Sequence, residues 1–131
     1  MAETIVDTDV LIDLSMNKLE ALDWLKSQGR RVLGISVVSA MEIIQGAENK
    51  HEQNRLKREM ADFDILHISE NDSVLAIRTF EDYHLSDGTG ILDSLLAAQA
   101  MNRKIPLLTF NTKHFRGITG LTIEQPYHRR R

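Results

Sequence analysis

The sequence contains no cysteine, which excludes disulfides and thiolate metal sites and agrees with a reducing compartment. It has only two prolines, and no Pro-, Gly- or Ser-rich tract that would serve as a linker. No apolar run approaches the ~18–20 residues needed to span a bilayer. The N-terminus shows neither a basic leader nor a signal-type apolar core, so a soluble, cytoplasmic protein with no membrane partner is expected. A basic excess is also missing: 16 Lys and Arg stand against 19 Asp and Glu. That balance does not advertise a nucleic-acid binder, whose footprint is usually basic. What remains is 131 residues, 42% of them apolar, enough for one core and a single domain over 1–131.

The charge is unevenly placed. Residues 1–15 carry Glu3, Asp7, Asp9 and Asp13 and no Lys or Arg, while the last sixteen carry Arg116, Arg129, Arg130 and Arg131 against Glu124. Short β-like runs alternate with helical patterns. The runs are "TIVDT" (4–8), "RVLGIS" (31–36), "DILHIS" (64–69), "IPLLTF" (105–110) and "LTIEQ" (121–125). Helices are expected from about Val10, over 17–29 up to Gly29, over 39–47, 49–63 and 70–84, and over 90–104. This alternation predicts an α/β fold with a mostly parallel sheet covered by helices on both faces.

In such sheets functional groups gather beyond the C-terminal ends of the strands. Asp7 ends the first strand, Thr109 and Asn111 end "IPLLTF", and Glu42 and Asp93 lie in opening turns of helices. Carboxylates brought to one rim repel, and divalent ions relieve that repulsion. Hard oxygen donors, with no cysteine and no HxH or HExxH pairing among the five histidines, favour Mg²⁺ or Mn²⁺ over Zn²⁺. Structural roles compete with each of these. Asp7 and Asp9 are also natural caps for the helix near Val10. Glu42 completes a capping box with Ser39, and Asp93 in a first helical turn complements the macrodipole. Asp93 stands out because its segment "GILDSLLAAQA" is otherwise apolar and small, and buried carboxylates need partners. Asp13 is expected to be an exposed bystander, Trp24 to be core or interface, and "HRRR" to be a solvated tail.

Taken in order, "IVDTDVLIDL", "ISVVSAMEIIQGA" and "GTGILDSLLAAQAMNRKIPLLTFNTKHF" resemble the PIN-domain nucleases, and within them the VapC-type toxins of toxin–antitoxin pairs. The resemblance covers almost the whole chain. It implies a three-layer α/β/α sandwich and metal-dependent endonucleolytic cleavage of single-stranded RNA, often tRNA or rRNA. It places Asp7, Glu42 and Asp93 as catalytic acids on Mg²⁺, with Mn²⁺ as the other candidate. Asp9 becomes a neighbouring polar position and Thr109 the strand-end hydroxyl. Many members carry a fourth acid after that strand; here Asn111 and His114 stand in the loop, and the number of metal ions stays open. The resemblance further implies a homodimer and silencing by a cognate antitoxin protein. Residues 17–63, with Met16, Leu19 and Trp24, are the expected groove for it, and Lys113, Arg116 and Arg103 the expected guides for RNA.

Two other readings compete. "IVDTDVLID" resembles the nucleophile motif of haloacid-dehalogenase-type phosphatases, but Leu11 stands where that motif wants Thr or Val, and Asp87 and Asp93 are wrongly spaced for its distal pair. A catalytically degenerate PIN-like module that binds RNA or protein draws its support from the missing fourth acid.

Overall fold

The computed structural model describes residues 1–129; Arg130 and Arg131 of the expected tail lie outside them. Five short strands form one all-parallel sheet: β1 (Thr4–Val6), β2 (Leu33–Ser36), β3 (Asp64–Leu66), β4 (Leu107–Leu108) and β5 (Ile123–Glu124). Their order is β3-β2-β1-β4-β5. Each falls within a run read as a strand from the sequence. The chain builds outward from β1 to β3, then returns to place β4 on the other side of β1. The β1/β4 junction is therefore the topological switch point, where open parallel sheets form a crevice beyond their strand ends.

Among the described residues seven helices cover the sheet: α1 (Thr8–Ser15), α2 (Leu19–Ser27), α3 (Val37–Gln45), α4 (Lys50–Met60), α5 (Glu70–Asp87), α6 (Ile91–Arg103) and the single turn α7 (Thr112–Phe115). Side chains alternate across a strand, so neighbours feed opposite cores. Val6 and Leu108 pack with Val10, Leu11, Trp24, Ile43 and Leu56 from α1–α4. Ile5 and Leu107 pack on the other face with Leu96, Ala97 and Ala100 of α6 and Phe115 of α7. This is the expected three-layer arrangement. Among the described residues no helix is long and apolar enough to cross a membrane.

Three local expectations change. The cap of α3 is Ser36, whose hydroxyl accepts the Val38 N–H at 3.3 Å. The helix thus starts one turn early, and Ser39 and Glu42 form no capping box. Helix α1 begins at Thr8, not Val10, with Asp7 as its cap. Arg103 is no free guide for RNA: it bridges the buried Asp72 at 3.2 Å and the His67 carbonyl at 3.1 Å.

Asp13 departs furthest from its expected exposure. It is 2% exposed and sits under the C-terminal segment. Its Oδ2 accepts from the Tyr127 hydroxyl at 2.9 Å and from Arg129 Nε at 3.0 Å, and its Oδ1 from Arg129 Nη2 at 2.9 Å. Arg129 also lies 4.4 Å above the Phe110 ring, and Tyr127 meets both Phe110 and Trp24. Within the described residues Arg129 straps across α1 and is not a solvated side chain. Burial pushes the Asp13 carboxyl up, but the bonds from Arg129 and Tyr127 and the charges of Arg129 and Lys18 outweigh it and hold it below 3.8. A lowered carboxylate stabilises the fold above its ordinary value, and that contribution is lost as pH falls through the folded value. Arg129→Ala should cost about 1–2 kcal/mol, discounted because the guanidinium is 41% exposed. Urea unfolding at neutral pH reads this loss, and the penalty should shrink below pH 3.8. A penalty undiminished in acid would mean that the strap acts through Phe110 instead.

Candidate active site at the strand ends

The crevice at the end of β1 and β4 is built by short-range chemistry. Asp7 leaves β1 with extended backbone and turns the chain into α1, its Oδ1 accepting the Thr8 N–H at 2.7 Å. Its Oδ2 accepts the Thr109 hydroxyl at 2.7 Å, a bond across 102 residues that ties the two strand ends together. The same hydroxyl accepts the Asn111 N–H at 3.0 Å, so Thr109, fully buried, organises the loop after β4. On the other side of Asp7, the Thr8 hydroxyl donates to Ser39 at 3.0 Å and docks the first turn of α3.

Asp93 enters from α6. Its Oδ2 accepts the Gly90 N–H at 2.8 Å, the helix-start role anticipated from sequence. That same oxygen lies 3.1 Å from His114 Nδ1, which in turn lies 2.7 Å from the Asn111 side-chain amide. A protonated Nδ1 donates to Asp93; an unprotonated one accepts from Asn111. Asn111 and His114 therefore form a unit with Asp93 in the loop where a fourth acid was expected. The Asp93 side chain is 18% exposed, less buried than its apolar segment suggested.

Burial pushes the Asp7 carboxyl above 3.8, against the bonds from Thr109 and Thr8, and the negative charges of Asp9 and Asp93 push it the same way. Asp9, exposed in the first turn of α1, acts here as charge and makes no bond to Asp7. Glu42 is the acid that the geometry does not bring in. It is exposed, and among the described residues no three acidic or histidine side chains close into a metal-holding set. It does lie one helical turn from Ser39, on the same face of α3. The donors at the rim are carboxylate oxygens, with Asp7 buried against other acids and bonded only to neutral groups. That set fits a hard divalent cation.

Sequence reasoning assigned no role at this site to Thr8, Ser39 or Thr89. The Thr89 hydroxyl donates to the His114 carbonyl at 2.8 Å and fixes α7 against the start of α6. Its only signal was the tight "DGTG" turn.

An all-parallel α/β sheet with an acidic crevice at its switch point defines a class of site, and comparison with known proteins gives the family. A PIN-domain model matches residues 4–121, and the chain belongs to the PIN-domain family. Within that family it is like the VapC-type toxins. A toxin–antitoxin complex from Klebsiella pneumoniae contains a chain with 29% identity and a TM-score of 0.80, covering 95% of this chain and 98% of that one. DNA-bound VapBC from Salmonella typhimurium gives 22% identity and a TM-score of 0.80, over 97% and 100% of the two chains. VapBC-1 from nontypeable Haemophilus influenzae gives 22% and 0.77, over 94% and 97%. A search of curated protein sequences finds no match.

Asp7→Asn tests the electrostatics directly. Asparagine keeps the cap and, with the Thr109 hydroxyl turned from donor to acceptor, the tie to β4, but removes a carboxylate whose raised pKa means that its charged form weakens the fold. For such a group stability is full below the unfolded value and is lost as pH rises through the folded one. The variant should therefore melt higher than wild type at pH 7 in EDTA, and the gap should close below pH 3.8. Equal melting temperatures at pH 7 would contradict an unrelieved charge at Asp7.

Proposed function

We propose that the chain is a metal-dependent endoribonuclease that hydrolyses phosphodiester bonds in single-stranded regions of RNA, tRNA or rRNA above all, as the toxin of a toxin–antitoxin pair. One observation carries this reading. The buried carboxylates Asp13 and Asp72 each have a fixed arginine, Arg129 and Arg103, whereas Asp7 has only neutral donors and two further acids around it. A site that, among the described residues, lacks a protein cation and faces the strand-end crevice suits an exchangeable one.

In this mechanism Asp7, Asp93 and Glu42 would hold Mg²⁺ or Mn²⁺, Glu42 reaching it from the exposed face of α3, with the Asn111 side-chain oxygen as a further donor. Such an ion would supply a bound water of lowered pKa and a charge to offset that on the phosphate. Thr109 fixes the orientation of Asp7 through its 2.7 Å bond, and His114 does the same for Asp93. Asp9 adds negative potential that strengthens cation binding. Hydrolysis of this kind needs no 2′-hydroxyl nucleophile.

For the antitoxin groove, an apolar cavity between α1, α2, α3 and α4 supports the reading. It has a volume of about 270 Å³, is lined by Leu11, Leu14, Leu22, Leu56 and Met60 and is rimmed by Glu59 and Asp62. An amphipathic segment with basic flanks suits it. Met16 and Leu19 are exposed near its edge, whereas Trp24 is buried against Tyr127 and takes no part. For the homodimer, the exposed Val74, Ile77 and Ile91 of α5 and α6 supply an apolar face.

The first test is cleavage of total cellular RNA in Mg²⁺, Mn²⁺ or EDTA, with Asp93→Asn alongside. The amide oxygen of the substituted side chain still accepts the Gly90 N–H, so the variant should melt like wild type. Its discrete metal-dependent fragments should vanish. Wild type that binds Mn²⁺ poorly and cuts nothing would instead favour the degenerate binding module. Glu42→Gln separates ligand from scaffold. The side chain is exposed, so its melting temperature should not move, while Mn²⁺ affinity by calorimetry should fall roughly 10-fold or more. Unchanged affinity would remove Glu42 from the metal set.

A further inference from the structure

Next to the acidic crevice, on the far side of His114, lies a second polar cavity of about 380 Å³. Its walls are the last turn of α5 with Ser86 and Asp87, the Gly88 turn, and α7 with Lys113, His114 and Arg116. One imidazole ring separates the two sites. Nδ1 of His114 faces Asp93, while Nε2 faces Gly88, where an added Cβ would come within 3.8 Å. The walls are firmly held. Gly88 ends α5 at a φ of 73°, Thr89 binds the His114 carbonyl, and Phe115 anchors α7 in the core at 1% exposure.

Two features make this cavity more than a gap. Among the described residues Lys113 and Arg116 have no ion-pair or hydrogen-bond partner for their side chains, and of the cations in that state (Lys26, Arg30, Lys50, Lys57, Arg58, Arg78 and Lys104 are others) these two line one cavity together. Asp87, on the opposite wall, pairs with neither. Its carboxylate instead abuts Gly117, where any Cβ would collide with Oδ2. The cavity thus offers two unneutralised cations on one wall and one carboxylate acceptor on the other.

We propose that this cavity is a ribonucleotide subsite. It takes the unstacked nucleotide flanking the cleaved bond, with Lys113 and Arg116 on its phosphate and Asp87 accepting from its 2′-hydroxyl. The proposal rests on the nuclease reading above. Two cations and one acceptor match the polar edge of a ribonucleotide, which presents an anion and, beside it, a hydroxyl donor. A pocket of this kind also selects single strands, because a base in a duplex cannot be splayed into it. The 2′-hydroxyl is what lets such a site tell RNA from DNA.

The experiment uses the full chain in the Asp93→Asn background with a short fluorescein-labelled polyuridylate, read by anisotropy across a KCl series. Adding Lys113→Ala and Arg116→Ala should weaken binding at least tenfold. It should also flatten the salt dependence by about 0.7, the single-strand slope for the one phosphate that both side chains hold. Lys57→Ala with Arg58→Ala, on the exposed face of α4, controls for net charge and should leave both readouts unchanged. Loss no greater than in that control overturns the subsite. In the same background Asp87→Asn should reduce the preference for polyuridylate over its deoxy counterpart at least threefold. An unaltered preference removes Asp87 from the assignment. Gly117→Ala, which displaces Asp87, should lower the same preference. If the Asp93→Asn parent binds no RNA at all, the nuclease reading itself fails, an outcome distinct from the subsite's failure alone.

Discussion

The structure depends on one carboxylate held in two directions. Asp7 turns β1 into α1 by accepting the Thr8 N–H, and it joins β1 to β4 by accepting the Thr109 hydroxyl. Both bonds are 2.7 Å, short as charge-assisted bonds are. Because β1 is the central strand and β4 lies across the topological switch, this side chain fixes the position of everything that lines the crevice. Thr109 then sets Asn111, Asn111 meets His114, and His114 meets Asp93. The members of this relay sit at strand ends and helix starts, positions set by near neighbours, although the Asp7–Thr109 and Asp93–His114 contacts themselves cross 102 and 21 residues.

That locality explains what the sequence could show. The helix-start position of Asp93, the strand-end positions of Asp7 and Thr109, and the αL glycine that closes α2 follow from near neighbours, and all hold. Alternating apolar runs gave the layers because Ile5 and Val6 must face opposite cores. What failed depended on distant residues. Nothing near Asp13 says that Arg129, 116 positions away, will cover it. Likewise, Arg103 looks free on α6 until Asp72 arrives from α5. The Ser39–Glu42 box was a different error: the pattern was present, but Ser36 had already capped the helix, and Ser39 was left free to bond Thr8.

The C-terminal strap bears on the site although it carries none of its acids. Arg129 stacks on Phe110, the residue between Thr109 and Asn111. Its Nη2 also reaches the Asp9 carbonyl at 3.4 Å. It therefore braces α1 and the β4 loop from outside, on the side away from His114. A cation placed there stiffens the rim, and Asp13 neutralises it so that it does not compete for the crevice.

This division of charge is the strongest physical argument for how the molecule is used. Burying a carboxylate costs several kcal/mol unless the charge is paired. At Asp13 and Asp72 the chain meets that requirement permanently with Arg129 and Arg103. At Asp7 it supplies two neutral hydrogen bonds and then adds Asp9 and Asp93, which worsen the repulsion. Among the described residues no guanidinium stands here as at Asp13 and Asp72, so the fold carries this buried charge unrelieved by any fixed cation. Nearby, Lys113 and Arg116, without partners among the described residues, line the cavity on the outer side of His114. Fixed positive charge at this edge thus stands in front of the acids behind it, a local reversal of sign in a chain of net charge −3.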